Sequence, residues 1–154
     1  MAGVLLVTGA SRGIGAATAL AGAQAGFRVA VHFGVHGDEA EAVCAEIREM
    51  GGTAVAVQAD MGNEAEIVRL FQAVDAALGP VTALVNNAGG VFGVRAIGDT
   101  DTALVERTLA VNLPDRSFAA ARRCAGCRRN GAVVVGRLSI YLQWRPCWAD
   151  CRKK

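Results

Sequence analysis

The chain has 154 residues, of which 53% are hydrophobic, which is enough apolar material for one domain with its own core. No run of about 18 uncharged apolar residues occurs, so no membrane span is predicted. The apolar start leads directly into a glycine-rich segment, which favours a buried first strand over a signal peptide and predicts a cytoplasmic protein.

The net charge of +2 conceals an acidic and a basic part of the chain. Residues 1–114 contain 6 Arg, no Lys and 12 acidic side chains, whereas residues 115–154 contain 8 Arg, 2 Lys and 2 acidic side chains. The basic part also holds both Trp, the only Tyr and four of the five Cys. Such a break indicates either a second functional module or a segment of different origin.

Strands and helices are predicted to alternate along the chain. The first strand is a short, continuous apolar run, typical of a strand buried on both faces of a parallel sheet. Asp38 is the expected N-cap of the second helix, and glycines follow the first three helices. The predicted strands are residues 4–7, 28–33, 53–58, 81–85 and 132–135, and the predicted helices are residues 16–25, 39–50, 64–78 and 102–111. This alternation implies right-handed crossovers and a parallel α/β sheet.

The segment 8–15, Thr-Gly-Ala-Ser-Arg-Gly-Ile-Gly, lies between the first predicted strand and the first predicted helix. A doubly wound sheet binds a dinucleotide at this place. Gly9 would permit the tight turn, Gly13 would let the backbone approach a pyrophosphate, and Gly15 would allow close packing of helix on strand. Glycines also mark ordinary turns, but the flanking strand and helix favour phosphate binding at the helix N-terminus.

Three further short motifs follow in order. Asp60-Met61 ends the third strand, Asn86-Asn87-Ala88-Gly89 ends the fourth, and Val111-Asn112 ends a helix. Taken singly, they could be a turn cap, a turn and a helix C-cap. Together with the glycine segment, they resemble the short-chain dehydrogenase/reductase family over about residues 3–113.

The resemblance implies a Rossmann-like, doubly wound sheet and an oxidoreductase acting on a small carbonyl or alcohol. It places Asp60 at the adenine amine, Met61 against the adenine ring, and Asn112 at a water of the proton relay. The residues it assigns to cofactor binding are Gly9, Ser11, Arg12, Gly13, Ile14, Gly15, Asp60, Met61, Asn87, Ala88 and Gly89.

The choice of cofactor is predicted from charge. An acidic side chain after the second strand would bind a ribose 2′-hydroxyl and repel a 2′-phosphate. No acid occurs there before Asp38. His32 and His36 in this stretch are interpreted as polar loop residues. The resemblance adds that NADP-preferring relatives often carry a basic residue where Arg12 stands. We therefore predict NADP(H).

The catalytic half of the family pattern is not matched. The resemblance calls for a Ser after the fifth strand and, about a dozen residues later, a Tyr with a Lys four positions beyond it. Ser139 lies near the serine position, but Tyr141, the only Tyr, follows too closely and has Arg145 four beyond it. We expect a catalytically impaired fragment whose sheet is incomplete at the C-terminus and whose family oligomer interface is lost.

The basic end of the chain allows three interpretations. Cys124, Cys127, Cys147 and Cys151 have near zinc-ribbon spacing, and interleaved Arg and Trp could contact a nucleic acid. We favour the third, a shifted reading frame, because GC-rich coding sequence read out of frame yields Arg, Cys, Pro and Trp. We therefore predict an NADP-binding domain at 1–136, an irregular tail at 137–154, and no metal or nucleic acid ligand. The rival is a non-catalytic nucleotide-binding or regulatory protein with a basic, zinc-binding tail.

Overall fold

The structure, a computed structural model, describes residues 3–90, 93, 99–112 and the backbone of 133–137. Strands and helices alternate along the described residues. The strands are β1 (Val4–Val7), β2 (Arg28–Phe33), β3 (Ala54–Gln58), β4 (Ala83–Asn86) and β5 (Val133–Arg137). The helices are α1 (Gly13–Gln24), α2 (Gly37–Glu49), α3 (Glu64–Leu78) and α4 (Thr102–Asn112).

The five strands form one parallel sheet in the order β3-β2-β1-β4-β5. β1 lies in the middle, and the chain winds outward from it first through β2 and then through β4. The strand order therefore reverses beside β1, which is where doubly wound sheets form a ligand crevice at the carboxyl ends of their strands. The predicted Rossmann-like α/β fold is confirmed.

Successive side chains of a strand point to opposite sides of the sheet. Each side of the sheet is buried in its own core cluster with the helices that pack on it. Leu5 and Val7 join a core cluster with residues of α1 and α2. Val4 and Leu6 join a second cluster with Phe71 and other residues of α3. All four residues of β1 are buried, as the continuous apolar run predicted. Each fully buried Val or Leu contributes about 1.5–3 kcal/mol of transfer free energy.

Two helix starts differ from the prediction. α1 begins at Gly13 rather than at residue 16, and its first i→i−4 hydrogen bond runs from the Ala16 N–H to the Arg12 carbonyl oxygen at 3.3 Å. α2 begins at Gly37, so Asp38 is not its N-cap; the N-cap is His36, which makes no side-chain cap. Asp38 instead lies in the first turn, where its negative charge interacts favourably with the helix dipole.

Three strands differ from their predicted bounds, and β3 does so only by beginning at Ala54 instead of residue 53. β4 begins at Ala83. The preceding Thr82 bonds to Val4 through its backbone N–H (2.9 Å) and through its side chain, which accepts from the Val4 N–H (2.9 Å) and donates to the Val4 carbonyl oxygen (3.0 Å). β5 runs over Val133–Arg137, one to two residues later than predicted. Within the described ranges, none of the helices has the length and apolar character needed to cross a membrane.

Candidate dinucleotide-binding site

A cavity of about 680 Å³ opens where the loops after β1, β2, β3 and β4 meet. Its volume is in the range usual for sites that take small molecules and cofactors. Seven predicted cofactor residues line it: Gly9, Ser11, Arg12, Asp60, Met61, Ala88 and Gly89. Gly13, Ile14, Gly15 and Asn87 are not among its lining residues, but Asn87 donates from Nδ2 to the carbonyl oxygens of Thr8 and Gly9 at 2.9 Å.

The glycine loop depends on conformations and contacts that other residues could not supply. Gly9 and Gly13 have φ of +63° and +58°, and a Cβ on Gly9 would lie 2.9 Å from the Ala88 Cα. A Cβ on Gly15 would lie 2.5 Å from the Asn87 Nδ2 and closer still to the Gly9 carbonyl oxygen. Besides the predicted packing of helix on strand, Gly15 thus allows α1 to lie close to Gly9 in the loop and to Asn87 after β4.

Thr8 joins the start of this loop to the end of β4. Its hydroxyl oxygen accepts from the backbone N–H groups of Asn87 and Ala88, each at 2.9 Å, and donates to the Val85 carbonyl oxygen at 3.3 Å. Thr8 is 1% exposed, so these bonds form away from water. The two walls of the crevice are consequently held at a fixed separation.

The N-terminus of α1 has no side-chain cap within the part of the chain that the structure describes. Its N-cap residue Arg12 makes no side-chain cap, and its first turn contains no acidic residue. By contrast, Asn63 caps α3 by accepting from the Ala65 N–H, and Glu64 and Glu66 lie in that helix's first turn. The first-turn N–H groups of α1 and its dipole therefore favour an anion supplied from outside the chain.

Asp60 has several partners at the cavity wall. One oxygen accepts from the Gly62 N–H at 2.8 Å and the other from the Arg107 guanidinium at 2.9 Å. Burial would raise the pKa of this carboxyl, but the bonds from Arg107 and Gly62 outweigh it and lower the pKa. Asp60 is thus a charged group that caps a turn, as the alternative interpretation had it, and it also faces the cavity. Met61 is 8% exposed and packs in the core below it.

Asn112 holds the loop that follows β4. Its Oδ1 accepts from the Gly90 N–H at 3.2 Å, and its Nδ2 donates to the carbonyl oxygens of Gly90 (2.8 Å) and Thr108 (2.7 Å). Asn112 does not line the cavity, although Gly90 does. Ser139, the other predicted catalytic residue, lies outside the described residues, as do the tail cysteines. Among the described residues, no group of three or more potential metal ligands occurs.

The interpretation of His32 as a polar loop residue is wrong. His32 belongs to β2 and is 2% exposed. Its ring contacts the Gly9 N–H and the Ala59 carbonyl oxygen, and burial lowers its pKa. Sequence reasoning also missed Thr8 and Arg107. A signal for His32 was present, since a polar side chain in a strand covered on both faces must be buried and hydrogen-bonded.

Together, the doubly wound sheet, the glycine loop and the crevice beside β1 define a dinucleotide-binding α/β domain. The short-chain dehydrogenase family model matches residues 3–134, and the chain belongs to that family.

Individual relatives and solved structures match this chain over about half of their own length. The chain is 41% identical over 110 residues to an uncharacterized oxidoreductase, YgfF, of Escherichia coli, covering 71% of this chain and 44% of that protein. A Burkholderia cenocepacia short-chain dehydrogenase in complex with NADP superposes with a TM-score of 0.72 at 37% identity, over 77% of this chain and 49% of that one. For a 7α-hydroxysteroid dehydrogenase complexed with NADH, the TM-score is 0.70 at 34% identity, over 78% and 46% of the two chains. The chain thus spans about half the length of the relatives it matches.

Proposed function

We propose that this chain binds NADP(H) at the carboxyl edge of its sheet, as the cofactor-binding half of a short-chain oxidoreductase. The observation that carries the proposal is the uncapped N-terminus of α1, which opens behind a glycine loop into a cavity of about 680 Å³. A pyrophosphate carries negative charge and many acceptor oxygens, which match free backbone N–H groups and a helix dipole.

The remaining cofactor residues are proposed around that anchor. Gly9, Ser11, Gly13 and Ile14 would bring backbone groups to the pyrophosphate, with Gly15 keeping the loop close to the sheet. Asp60 and Met61 would face the adenine. Ala88 and Gly89 would border the adjoining ribose, and Asn87 would act through its bonds to the loop.

The preference for NADP(H) over NAD(H) rests on the charges at the end of β2. The cavity lining there consists of Gly34, Val35 and His36, without a carboxylate that would repel a 2′-phosphate. Arg12, an exposed residue on the opposite loop, lines the same cavity and can pair with such a phosphate. Relatives of the same fold are known with NADP and with NADH, so the fold alone does not select the cofactor, and we infer that these residues do.

Within these 154 residues we propose cofactor binding without efficient turnover. The nicotinamide would supply the hydride, but the proton must come from a side chain, and the Tyr-x-x-x-Lys pair of the family is not formed by Tyr141 and Arg145. Asn112 would fix the loop at Gly90, and Ser139 would take the role of the family serine, which stabilises the substrate oxygen. The substrate class is a small carbonyl or alcohol.

Calorimetric titration with NADPH and NADH tests the proposal. NADPH should bind at least about tenfold more tightly than NADH. Arg12→Gln should reduce that ratio, whereas Arg48→Gln, which removes the same charge from α2 away from the cavity, should not. Tighter binding of NADH would overturn the cofactor preference, and no binding of either nucleotide would overturn the function. Robust NADPH oxidation with ketones would refute the absence of turnover.

A further inference from the structure

His32 contacts two loops of the candidate site at once. Its Nδ1 lies 3.0 Å from the Gly9 nitrogen, and its Nε2 lies 3.0 Å from the Ala59 carbonyl oxygen. Gly9 opens the glycine loop, whereas Ala59 directly precedes Asp60 on the opposite wall of the cavity. The backbone of His32 adds a further bond, because its carbonyl oxygen accepts from the Ala10 N–H at 2.8 Å.

These two ring contacts define the protonation state. The Gly9 N–H is a donor, so Nδ1 must be an unprotonated acceptor; the Ala59 carbonyl is an acceptor, so Nε2 must carry the proton. The ring is therefore neutral, in the Nε2–H tautomer. A second proton on Nδ1 would face the Gly9 N–H, and this bond would be lost.

We propose that neutral His32 is a positioning residue for the dinucleotide, which holds the glycine loop at a fixed distance from the Ala59–Asp60 wall. This inference rests on the proposed function, since the loop is the part that would bind the pyrophosphate. If the bond from Gly9 to the ring were lost, the Gly9 N–H at the start of the loop would lose its acceptor. Protonation should release the same amide and weaken cofactor binding at low pH.

The charge of Asp60 acts on the ring, and further titratable groups line the cavity. Burial lowers the pKa of His32 below its ordinary value of 6.5, and the bond to Ala59 and the charge of Asp60 partly oppose this. The direction of this shift agrees with the neutral tautomer that the two ring contacts require. The titratable and charged groups facing the cavity from the other elements are Arg12, His36, Asp60, Glu66, Arg69 and Arg107.

Two substitutions separate the two ring contacts. In His32→Asn, the amide oxygen occupies the place of Nδ1 and can accept from Gly9. In His32→Gln, the longer amide reaches the place of Nε2 and keeps a donor for Ala59 but leaves Gly9 unpaired. We expect His32→Asn to bind NADPH within about threefold of the unmodified chain and His32→Gln to lose at least about tenfold. Thermal unfolding establishes that both variants are folded.

The pH dependence provides the second readout. The ratio of the NADPH dissociation constants of the unmodified chain and His32→Asn should rise as the pH is lowered through the pKa of His32, which an NMR titration of the ring locates. In this ratio, the effects on binding of the cofactor's own phosphate and of the other cavity groups cancel, because these groups titrate in both chains. A ratio independent of pH, or equal losses in two folded variants, would overturn the proposal.

Hydrogen exchange of the Gly9 amide distinguishes this proposal from the proposed function. In the unmodified chain without cofactor, that amide should be protected at about pH 7.5 and lose protection as the ring is protonated. Nitrogen-15 NMR of the imidazole should show an unprotonated Nδ1. If NADPH does not bind but Gly9 is protected in this way, the proposed function fails, while the part of the inference in which neutral His32 holds the glycine loop stands. An unprotected Gly9 amide, or a protonated Nδ1 at about pH 7.5, refutes that role.

Discussion

Asn87 donates two hydrogen bonds to Thr8, one from its backbone N–H to the hydroxyl oxygen and one from Nδ2 to the carbonyl oxygen, both at 2.9 Å. The two residues are 79 positions apart in sequence. They follow the two neighbouring strands β1 and β4, which pair in parallel with Val7 opposite Val85. The link therefore joins the halves of the doubly wound sheet at the mouth of the crevice.

Replacing the Thr8 hydroxyl tests this link. Thr8→Val keeps the shape of the side chain but leaves the Asn87 and Ala88 N–H groups without their acceptor, so the free energy of unfolding should fall by about 2–4 kcal/mol. Thr8→Ser keeps the hydroxyl and should cost about 1 kcal/mol or less. Urea denaturation followed by circular dichroism measures both. Equal losses would mean that the methyl group, rather than the hydroxyl, matters.

The space at Gly15 can be tested by adding one methyl group. Gly15→Ala should displace the loop, because its Cβ would overlap the Gly9 carbonyl oxygen and lie 2.5 Å from the Asn87 Nδ2. We expect NADPH affinity to fall by about tenfold or more and stability to fall by about 1–3 kcal/mol. Gly37→Ala is the control, since its Cβ would meet only the Phe33 ring at 3.3 Å. Retained affinity in Gly15→Ala would contradict the steric argument.

Arg107 sets the ionisation of Asp60. Burial raises the pKa of Asp60, and the Arg107 and Gly62 bonds lower it to a net value below 3.8. Because the folded-state pKa is depressed, this pair contributes stability above pH 3.8 that is lost as the pH falls through the folded-state pKa. Both side chains are more than one third exposed, at 47% and 36%, which limits the contribution to less than about 1 kcal/mol.

Carbon-13 NMR titration of the Asp60 carboxyl measures this effect directly. Arg107→Gln should raise the pKa of Asp60, and Arg107→Lys, which keeps the charge, should raise it less. An unchanged pKa in Arg107→Gln would show that Arg107 does not cause the depression and that the Gly62 N–H and His32 account for it.

Asn112 should control the order of the loop at Gly90. Asn112→Ala removes both hydrogen bonds to the Gly90 backbone, so the Gly90 amide should exchange with solvent at least about tenfold faster. Thr108→Val is the matched control, because Thr108 donates its hydroxyl to the Leu104 carbonyl oxygen within α4 and leaves Gly90 untouched. Amide exchange followed by NMR distinguishes them. Equal acceleration in both variants would indicate fraying of α4 instead.

The sequence alone determined the order of strands and helices and the place of the glycine loop, because these depend on local spacing. A four-residue apolar run predicts a strand covered on both faces, and glycines at 9, 13 and 15 between a strand and a helix predict a phosphate-binding turn. Helix starts were less well predicted. Asp38 is a residue type favoured at an N-cap, yet α2 begins at Gly37, one residue before Asp38.

Only the tertiary structure decided which distant residues support the site. His32 meets Gly9 across 23 positions, Arg107 meets Asp60 across 47, and Thr8 meets Asn87 across 79. The pairs His32–Gly9 and Thr8–Asn87 are adjacent because the parallel strands bring their carboxyl ends to one edge of the sheet. Arg107 reaches Asp60 from α4. Local propensity contains no information about such pairs, since their hydrogen bonds form only after the strand order β3-β2-β1-β4 is established.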